Sequence, residues 1–272
     1  MTSSSIIPVL SKMKKELENK ILTGNHKEVT SYIRSQKFVG HLHEYVKQEL
    51  ISNGISSNKI HPSLGKSKPE KKFTGFLKQK NQDVVVLNNK SESETIQDGS
   101  LRGKKDLIGK DSSSKAISIN VRGQMSSIGK NFDTLYERTF AEALNLHART
   151  PKLVMGELYY VPIIAYDNNE FDNNKISWKE KLPAKFIPAF EALNGRNEND
   201  LNYYKYEKVC LLIIDFRKDP PTLVSENDLV SEGIISKQHI SSYSLKNLSI
   251  DTFVKDLIAV YKKRHGSLQE LK

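Results

Sequence analysis

Cysteine is almost absent from this 272-residue chain, which contains Cys210 alone. An intrachain disulfide is therefore excluded, and so is a zinc site built from cysteine pairs. Cys210 lies in the apolar run 209–214, which predicts a small buried side chain rather than a nucleophile. Glycine-rich phosphate loops and the sequence signatures of Ser-His-Asp catalysis are missing as well. The sequence thus gives no support to P-loop, zinc or serine-hydrolase chemistry.

Long apolar runs are also lacking. No stretch approaches the roughly 20 apolar residues of a membrane span, and the first residues lack the apolar core of a signal peptide. We therefore expect no membrane partner and a cytoplasmic location. Only 37% of residues are hydrophobic and the mean hydropathy is −0.53, which predicts that part of the chain is solvated loop or tail.

Positive charge is in excess, with 42 Lys and Arg against 32 Asp and Glu, a net charge of +10. A basic protein of this size suggests a polyanionic partner, most often nucleic acid, although charge can also serve solubility alone. Basic loops at 66–80 and 102–115 could lie along a phosphate backbone. Ordinary solvated loops would have the same composition.

Apolar spacing divides the chain into a helical region, 1–55, packed on or part of the core, and a core domain, 56–272. A mobile polar insertion is expected at about 88–115. The patterns predict strands at 83–87, 117–122, 153–164 and 208–216, and helices at 127–147 and 249–261. This order predicts an α/β fold with a central mixed sheet of four to five strands flanked by helices.

The strand at 117–122 alternates apolar and polar residues, so Asn120 and Arg122 share its polar face. Asp83 opens another strand. An acidic residue on one strand and a polar-x-cation pair on the next are how metal-dependent nucleases hold a phosphate and a metal ion. Mg²⁺ suits such chemistry because it binds carboxylates and water. Further candidate carboxylates are Glu137 and Glu142 on the following helix and Glu44 on an N-terminal helix.

The segments 118–124, 129–133 and 137–139 resemble the core of type II restriction endonucleases of the XhoI type, which have the PD-(D/E)xK nuclease fold. In that family a strand ending in Glu-x-Lys-Ser-Gln runs through Gly-Asn-Asn-Phe into a helix bearing Arg-Thr-Glu-Glu. The resemblance covers roughly residues 73–165 and places Asp83 at the family's metal-binding Asp. It implies a restriction-endonuclease-like fold and Mg²⁺-dependent cleavage of double-stranded DNA at a specific sequence. Two-fold symmetric dimers read palindromic sites in such enzymes, so a homodimer is expected.

Two residues depart from the family pattern, because Asn120 replaces its Glu and Arg122 replaces its Lys. In one interpretation the carboxylate has moved to the next helix, as in the NgoMIV-like branch. Glu137 would then bind metal with Asp83, within about 5 Å of it, and Glu142 would be in reserve. Asn120 would assist through its oxygen and Arg122 would hold the phosphate.

In a second interpretation the site is inactive and the chain is a DNA-binding subunit of a larger restriction complex. In a third, the basic charge alone binds RNA or DNA without sequence preference. Under the first interpretation, residues expected to contact DNA beside the active site are Lys78, Lys80, Gln124, Lys130 and Asn131.

Overall fold

The computed structural model describes residues 6–88, 92–197, 199 and 201–271. The α-helices in this part of the chain are α1 (Ile7–Thr23), α2 (His26–Ile33), α3 (Gln36–Ser52), α4 (Lys110–Ser114), α5 (Phe132–His147), α6 (Phe186–Ala192), α7 (Glu226–Ser231) and α8 (Ile250–His265). The strands are β1 (Ile60–His61), β2 (Lys71–Thr74), β3 (Gln79–Gln82), β4 (Val84–Val86), β5 (Glu94–Thr95), β6 (Lys105–Asp106), β7 (Ile117–Gly123), β8 (Val154–Pro162), β9 (Ile164–Tyr166), β10 (Trp178–Lys181), β11 (Lys208–Asp215) and β12 (Thr222–Leu223).

One mixed sheet organises the molecule, with the strand order β1-β4-β7-β8-β11-β12. Strand β4 runs antiparallel to β7, whereas β7, β8 and β11 are parallel neighbours. Parallel neighbours need a long crossover, and α5 supplies it between β7 and β8. The α/β class is confirmed, but the sheet has six strands rather than four to five. The edge strands β1 and β12 have two residues each, too few to form a recognisable alternating pattern.

The sheet separates two apolar cores. Apolar residues of α1, α3 and α8 pack on one face and those of α5 and α6 on the other. Strand β7 obeys the predicted alternation, since Ile117, Ile119 and Val121 lie in the first core and its polar side chains face α5. Among the described residues, no helix combines the length and the apolar composition needed to cross a bilayer.

The three N-terminal helices pack through their apolar residues into the first core. Side-chain caps fix two helix starts, because Asn25 accepts from the Glu28 N–H and Ser35 accepts from the Phe38 N–H. These contacts explain why a strongly charged segment with a thin apolar stripe folds against the sheet.

The described part of segment 88–115 contains regular structure where the sequence predicts a polar insertion; residues 89–91 lie outside the described residues. Strands β5 and β6 pair antiparallel, and α4 follows them. The carboxylate of Asp106 is buried and accepts hydrogen bonds from the N–H groups of Ile108 and Gly109, and it pairs with Arg149 at 3.2 Å. Polar side chains therefore hold this segment in place of a large apolar core.

The β2–β3 hairpin is fastened to α5 by Asn145. Its Oδ1 accepts from the N–H groups of Leu77 and Lys78 at 2.7 and 3.1 Å, and its Nδ2 donates to the Lys78 carbonyl at 3.0 Å. A side chain at Gly75 would collide with Asn145, so glycine is required at this close approach. The hairpin thereby positions the residues that lead into β4 beside α5.

Candidate active site

Arg122, on the polar face of β7, lies at the centre of a buried polar cluster. Its Nη2 is 2.5 Å from Oε2 of Glu142 on α5, and its Nη1 is 3.2 Å from Oε1 of Glu157 on β8. The same Nη1 donates to Thr139 Oγ1 at 3.2 Å. Because β8 pairs in register with β7, Glu157 lies opposite Asn120. A helix and the adjacent strand thus direct two carboxylates at one guanidinium.

Glu142 is the most highly coordinated member of this cluster. Its Oε1 accepts from Gln82 Nε2 at 3.0 Å and from Asn120 Nδ2 at 3.4 Å. Lys80 Nζ lies 3.4 Å from its Oε2, beside the contact with Arg122. Only 4% of its side chain is exposed. Contacts from two strands, β3 and β7, therefore fix the orientation of this carboxylate.

Asp83 adds a third carboxylate directly before β4. Its Oδ2 accepts from the backbone N–H of Val121 at 2.9 Å. Burial raises the pKa of Asp83 above its ordinary value, the Val121 N–H and Arg122 oppose that rise, and the charge of Glu142 adds to it. The negative charge of Glu142 on α5 thus acts on the carboxylate of Asp83.

Glu157 has no solvent exposure. Burial raises its pKa to about 8, with Arg122 opposing the rise and Glu142 and Asp83 adding to it. The hydroxyl of neighbouring Tyr206 donates to the Thr139 carbonyl at 2.9 Å, and Oε2 of Glu157 has no hydrogen-bond partner among the described residues. The cluster therefore contains more carboxylate than its cations neutralise.

The cations of the cluster are more exposed than its acids. The side chains of Arg122 and Lys80 are 23% and 37% exposed, whereas those of Glu142 and Glu157 are 4% and 0% exposed. An anion approaching from solvent would meet the guanidinium and the ammonium before the carboxylates. Carboxylates whose pKa is shifted, as for Asp83 and Glu157, are found more often at functional sites than elsewhere.

The carboxylate oxygens of the cluster are the kind of ligand that Mg²⁺ prefers. Among the described residues, no group of three or more His, Cys, Asp or Glu side chains is arranged to hold a metal ion, and Arg122 lies between Glu142 and Glu157. Mg²⁺ commonly uses only one or two carboxylates, with water and substrate phosphates completing its shell. Asp83 and Glu142 are the two carboxylates of the cluster that such a shell would use.

The sequence places Asp83, Asn120 and Arg122 correctly relative to one another, but Glu137 does not join them. Glu137 is exposed on α5 and makes no hydrogen bond or ion pair with the cluster. It precedes Glu142 by five residues, which is about 140° around a helix. Of the two helix carboxylates, the structure places Glu142 in the cluster and leaves Glu137 outside it.

The structure also differs from the prediction for Glu44 and for Asn120. Glu44 is on α3, in the layer on the other side of the sheet from α5. It binds Lys47 Nζ at 2.6 Å and the Gly65 N–H at 2.7 Å, so it stabilises a turn and is remote from Arg122. Asn120 presents its amide nitrogen, not its oxygen, to Glu142.

The residues expected to contact DNA are dispersed around the cluster. Lys80 belongs to it, and Gln124 and Asn131 line a neighbouring cavity. The side chains of Lys78 and Lys130 are exposed. Contact of these five residues with DNA stays a prediction.

Sequence reasoning missed three members of the cluster, namely Gln82, Thr139 and Glu157. Glu157 had a usable signal, because a carboxylate inside an apolar strand is rarely buried without a partner. Gln82 and Thr139 had none, since neutral polar residues are common at strand ends and in helices.

Comparisons of the chain with protein-family models, with curated proteins and with solved structures find no match. The case for any function therefore depends on the cluster around Arg122 and on the sequence motifs that form it.

Proposed function

We propose that this protein is a Mg²⁺-dependent endonuclease that cleaves double-stranded DNA at specific sites, as a type II restriction enzyme does. The observation that carries the proposal is the cluster in which Asp83 and Glu142 lie with Arg122 and Lys80 on neighbouring elements. Phosphodiester hydrolysis needs a nucleophilic water and positive charge on the phosphate. Carboxylates that hold a cation, next to a guanidinium and an ammonium, match both needs.

Asp83 and Glu142 would hold the metal ion, which when bound lowers the pKa of a coordinated water and polarises the phosphate. Arg122 stays protonated at any accessible pH and can bind a phosphate through two parallel N–H groups. Lys80 offers a second positive charge on the exposed side of the cluster. Glu157, with a pKa of about 8, would be largely protonated at neutral pH and would help to orient Arg122.

The wider proposal follows from the chemistry of such enzymes. Double-stranded DNA is the expected substrate, the net charge of +10 favours binding to it, and the cytoplasm is the expected location. A homodimer would present two clusters to the two strands of a palindromic site.

Incubation with plasmid and phage DNA in the presence of Mg²⁺ tests the activity directly. The wild-type protein should produce discrete fragments, and Asp83→Ala should produce none. Asp111→Ala is the matched control, because Asp111 is an exposed carboxylate on α4 that forms an ion pair with Lys115. Intact DNA with the wild-type protein under every divalent metal tried would contradict the proposal.

A specific observation favours a second candidate function, a non-catalytic DNA-binding subunit of a restriction complex. Arg122 and Lys80 already neutralise Glu142, and such an ion pair can persist in a protein that never binds metal. Under this alternative the purified chain would bind duplex DNA with the same affinity in Mg²⁺ and in EDTA. It would cleave DNA only when a partner subunit is added.

A further inference from the structure

A cavity of about 470 Å³ opens between α2 and the first half of α5, at the end of β7. The polar side chains that matter here belong to His26, Arg34, Gln124, Asn131 and Arg138. No Asp or Glu lines this cavity within the part of the chain that the structure describes. We call it the α2–α5 cleft. Two guanidinium groups and no carboxylate favour an anionic ligand.

Arg34 and Arg138 are exposed, and neither forms an ion pair with a carboxylate of the described residues. Arg122, Arg149 and Arg217 differ, since each contacts two carboxylates. Unpaired guanidinium groups on either side of one cavity are free to bind phosphate oxygens. The positive charge of the cleft is therefore available to a ligand.

The cleft leads towards the cluster around Arg122. Asn131, Arg138 and Glu142 follow one face of α5, because their spacings of seven and four residues are whole helical turns. Arg138 is one turn, about 6 Å along the axis, from Glu142. On the sheet side, Gly123 and Gln124 line the cleft directly after Arg122. A strand of DNA that reaches the carboxylates could thus continue into the cleft.

The wall of the cleft is held in a fixed shape. Ser127 has φ of 51°, an uncommon conformation for a residue with a side chain. Glu180 accepts from the N–H groups of Ile128 and Gly129 at 2.8 and 2.7 Å, which secures the loop. The Tyr159 hydroxyl donates to Gln124 Oε1 at 2.7 Å and orients that amide. Strained but well-anchored backbone is typical of ligand sites.

A second depression extends the cleft across α2. It includes His26, Thr30 and Arg34 of the first cavity and adds Lys27, again without a lining carboxylate among the described residues. The positive surface is therefore longer than a single phosphate requires.

We propose that the α2–α5 cleft binds backbone phosphates of the DNA strand next to the bond that is cut, through Arg34 and Arg138. This inference rests on the proposed function and names the part of the protein that positions its substrate.

Binding of a fluorescently labelled duplex, measured by anisotropy in EDTA over a series of salt concentrations, tests this inference. The variants are Arg34→Gln/Arg138→Gln and, as a charge-matched control, Lys255→Gln/Lys262→Gln on the exposed side of α8. Each lost phosphate contact lowers the slope of log K against log salt by about 0.9. The plot of log K against log salt should therefore be shallower by about 2 in slope for the arginine double variant than for the wild type. The lysine control should show the wild-type slope.

The design separates this inference from the proposed function, because binding in EDTA does not require cleavage. A wild-type protein that cleaves DNA while the arginine variant keeps the wild-type slope would overturn the inference alone. If the wild-type protein never cleaves DNA but the arginine variant has a shallower slope of log K against log salt, the nuclease proposal alone would be overturned. Pyrophosphate is titrated separately into the wild type and the arginine variant. If only the wild type binds pyrophosphate while both proteins bind the duplex equally, the cleft binds a free phosphate compound and the inference is overturned. Absence of duplex binding by the wild-type protein would overturn the inference.

Discussion

Glu157 lies on β8, Glu207 lies immediately before the neighbouring strand β11, and both side chains are buried from solvent. The surroundings of the two carboxylates have opposite effects on their pKa values. Oε1 of Glu207 accepts from Arg196 and Arg264 at 2.8 and 3.0 Å, and Oε2 accepts from the Met155 N–H at 2.7 Å. Within the described part of the chain, Glu157 has one cationic partner, Arg122, which it shares with Glu142.

The pKa values follow from these partners. Burial alone would raise the pKa of Glu207, but His147, Arg264 and the Met155 N–H together lower it to about 2. Burial raises the pKa of Glu157 to about 8, and Arg122 only partly opposes this. The Glu207 cluster thus stabilises the ionised carboxylate, whereas the Glu157 cluster penalises it.

This difference is consistent with a structural role for the Glu207 cluster and with the proposed functional role of the cluster around Glu157. The Glu207 cluster joins the last turns of α5 and α8 to the start of β8, since His147 and Arg264 also contact the Leu153 carbonyl. The cluster around Glu157 crowds carboxylates beside a partly exposed guanidinium, which costs stability unless a cation or substrate binds there.

The largest expected effect is the pH dependence that arises from Glu157. Its pKa is about 8 in the folded protein and 4.5 in the ordinary state, so the folded protein retains a proton that the unfolded chain releases. The free energy of unfolding should fall as pH rises from about 4.5 to about 8, by at most about 5 kcal/mol.

Urea unfolding of the wild-type protein and of Glu157→Gln at pH 5 and pH 8 measures this contribution. The variant should lack the fall, so its advantage over the wild type should increase with pH. Parallel pH profiles for the two proteins would contradict the comparison.

Glu207→Gln should lower the free energy of unfolding by roughly 3–5 kcal/mol at pH 7, because it leaves buried Arg196 and Arg264 without their carboxylate. Chemical denaturation measures the loss. Glu137→Gln, which alters an exposed glutamate on α5, is the control and should change stability by less than about 0.5 kcal/mol. A loss below about 1 kcal/mol for Glu207→Gln would show that the cluster is not structural.

A smaller effect is expected at acidic pH. Because the folded pKa of Glu207 is about 2 and its ordinary value is 4.5, its contribution is complete above pH 4.5 and is lost as pH falls towards 2. The loss amounts to about 3 kcal/mol. Thermal unfolding from pH 5 down to pH 2.5 should show this decrease in the wild-type protein but not in Glu207→Gln. An equal decrease in both proteins would assign it to other carboxylates.

Sequence patterns predicted much of the fold and part of the site, and the reasons are local. The alternation in β7 placed Asn120 and Arg122 on one face, and Asp83 stood out because Asp is disfavoured in strands. The choice between Glu137 and Glu142 was also available from the sequence. Glu142 is three residues after Thr139 and lies at the edge of the apolar stripe of α5. Glu137 lies on the opposite face of the same helix.

The remaining features depend on contacts between distant parts of the chain. Glu207 meets His147 and Arg264, which are 60 and 57 residues away, and no local pattern predicts such a pairing. The two-residue strands at the sheet edges likewise exist only because β4 and β11 provide partners for them. The α2–α5 cleft forms where separate elements pack, so its arginines carry no recognisable signal in the sequence.

The central claim is that the carboxylate of Glu142, and not that of Glu137, serves the chemistry at Arg122. Cleavage of one DNA substrate by Glu142→Gln and Glu137→Gln, in the same Mg²⁺ buffer, tests it most directly. We expect Glu142→Gln to cleave at least about a hundredfold more slowly than the wild type, since several kcal/mol of charge stabilisation is lost, and Glu137→Gln to cleave at the wild-type rate. Wild-type cleavage by Glu142→Gln, or loss of cleavage in Glu137→Gln alone, would contradict the account.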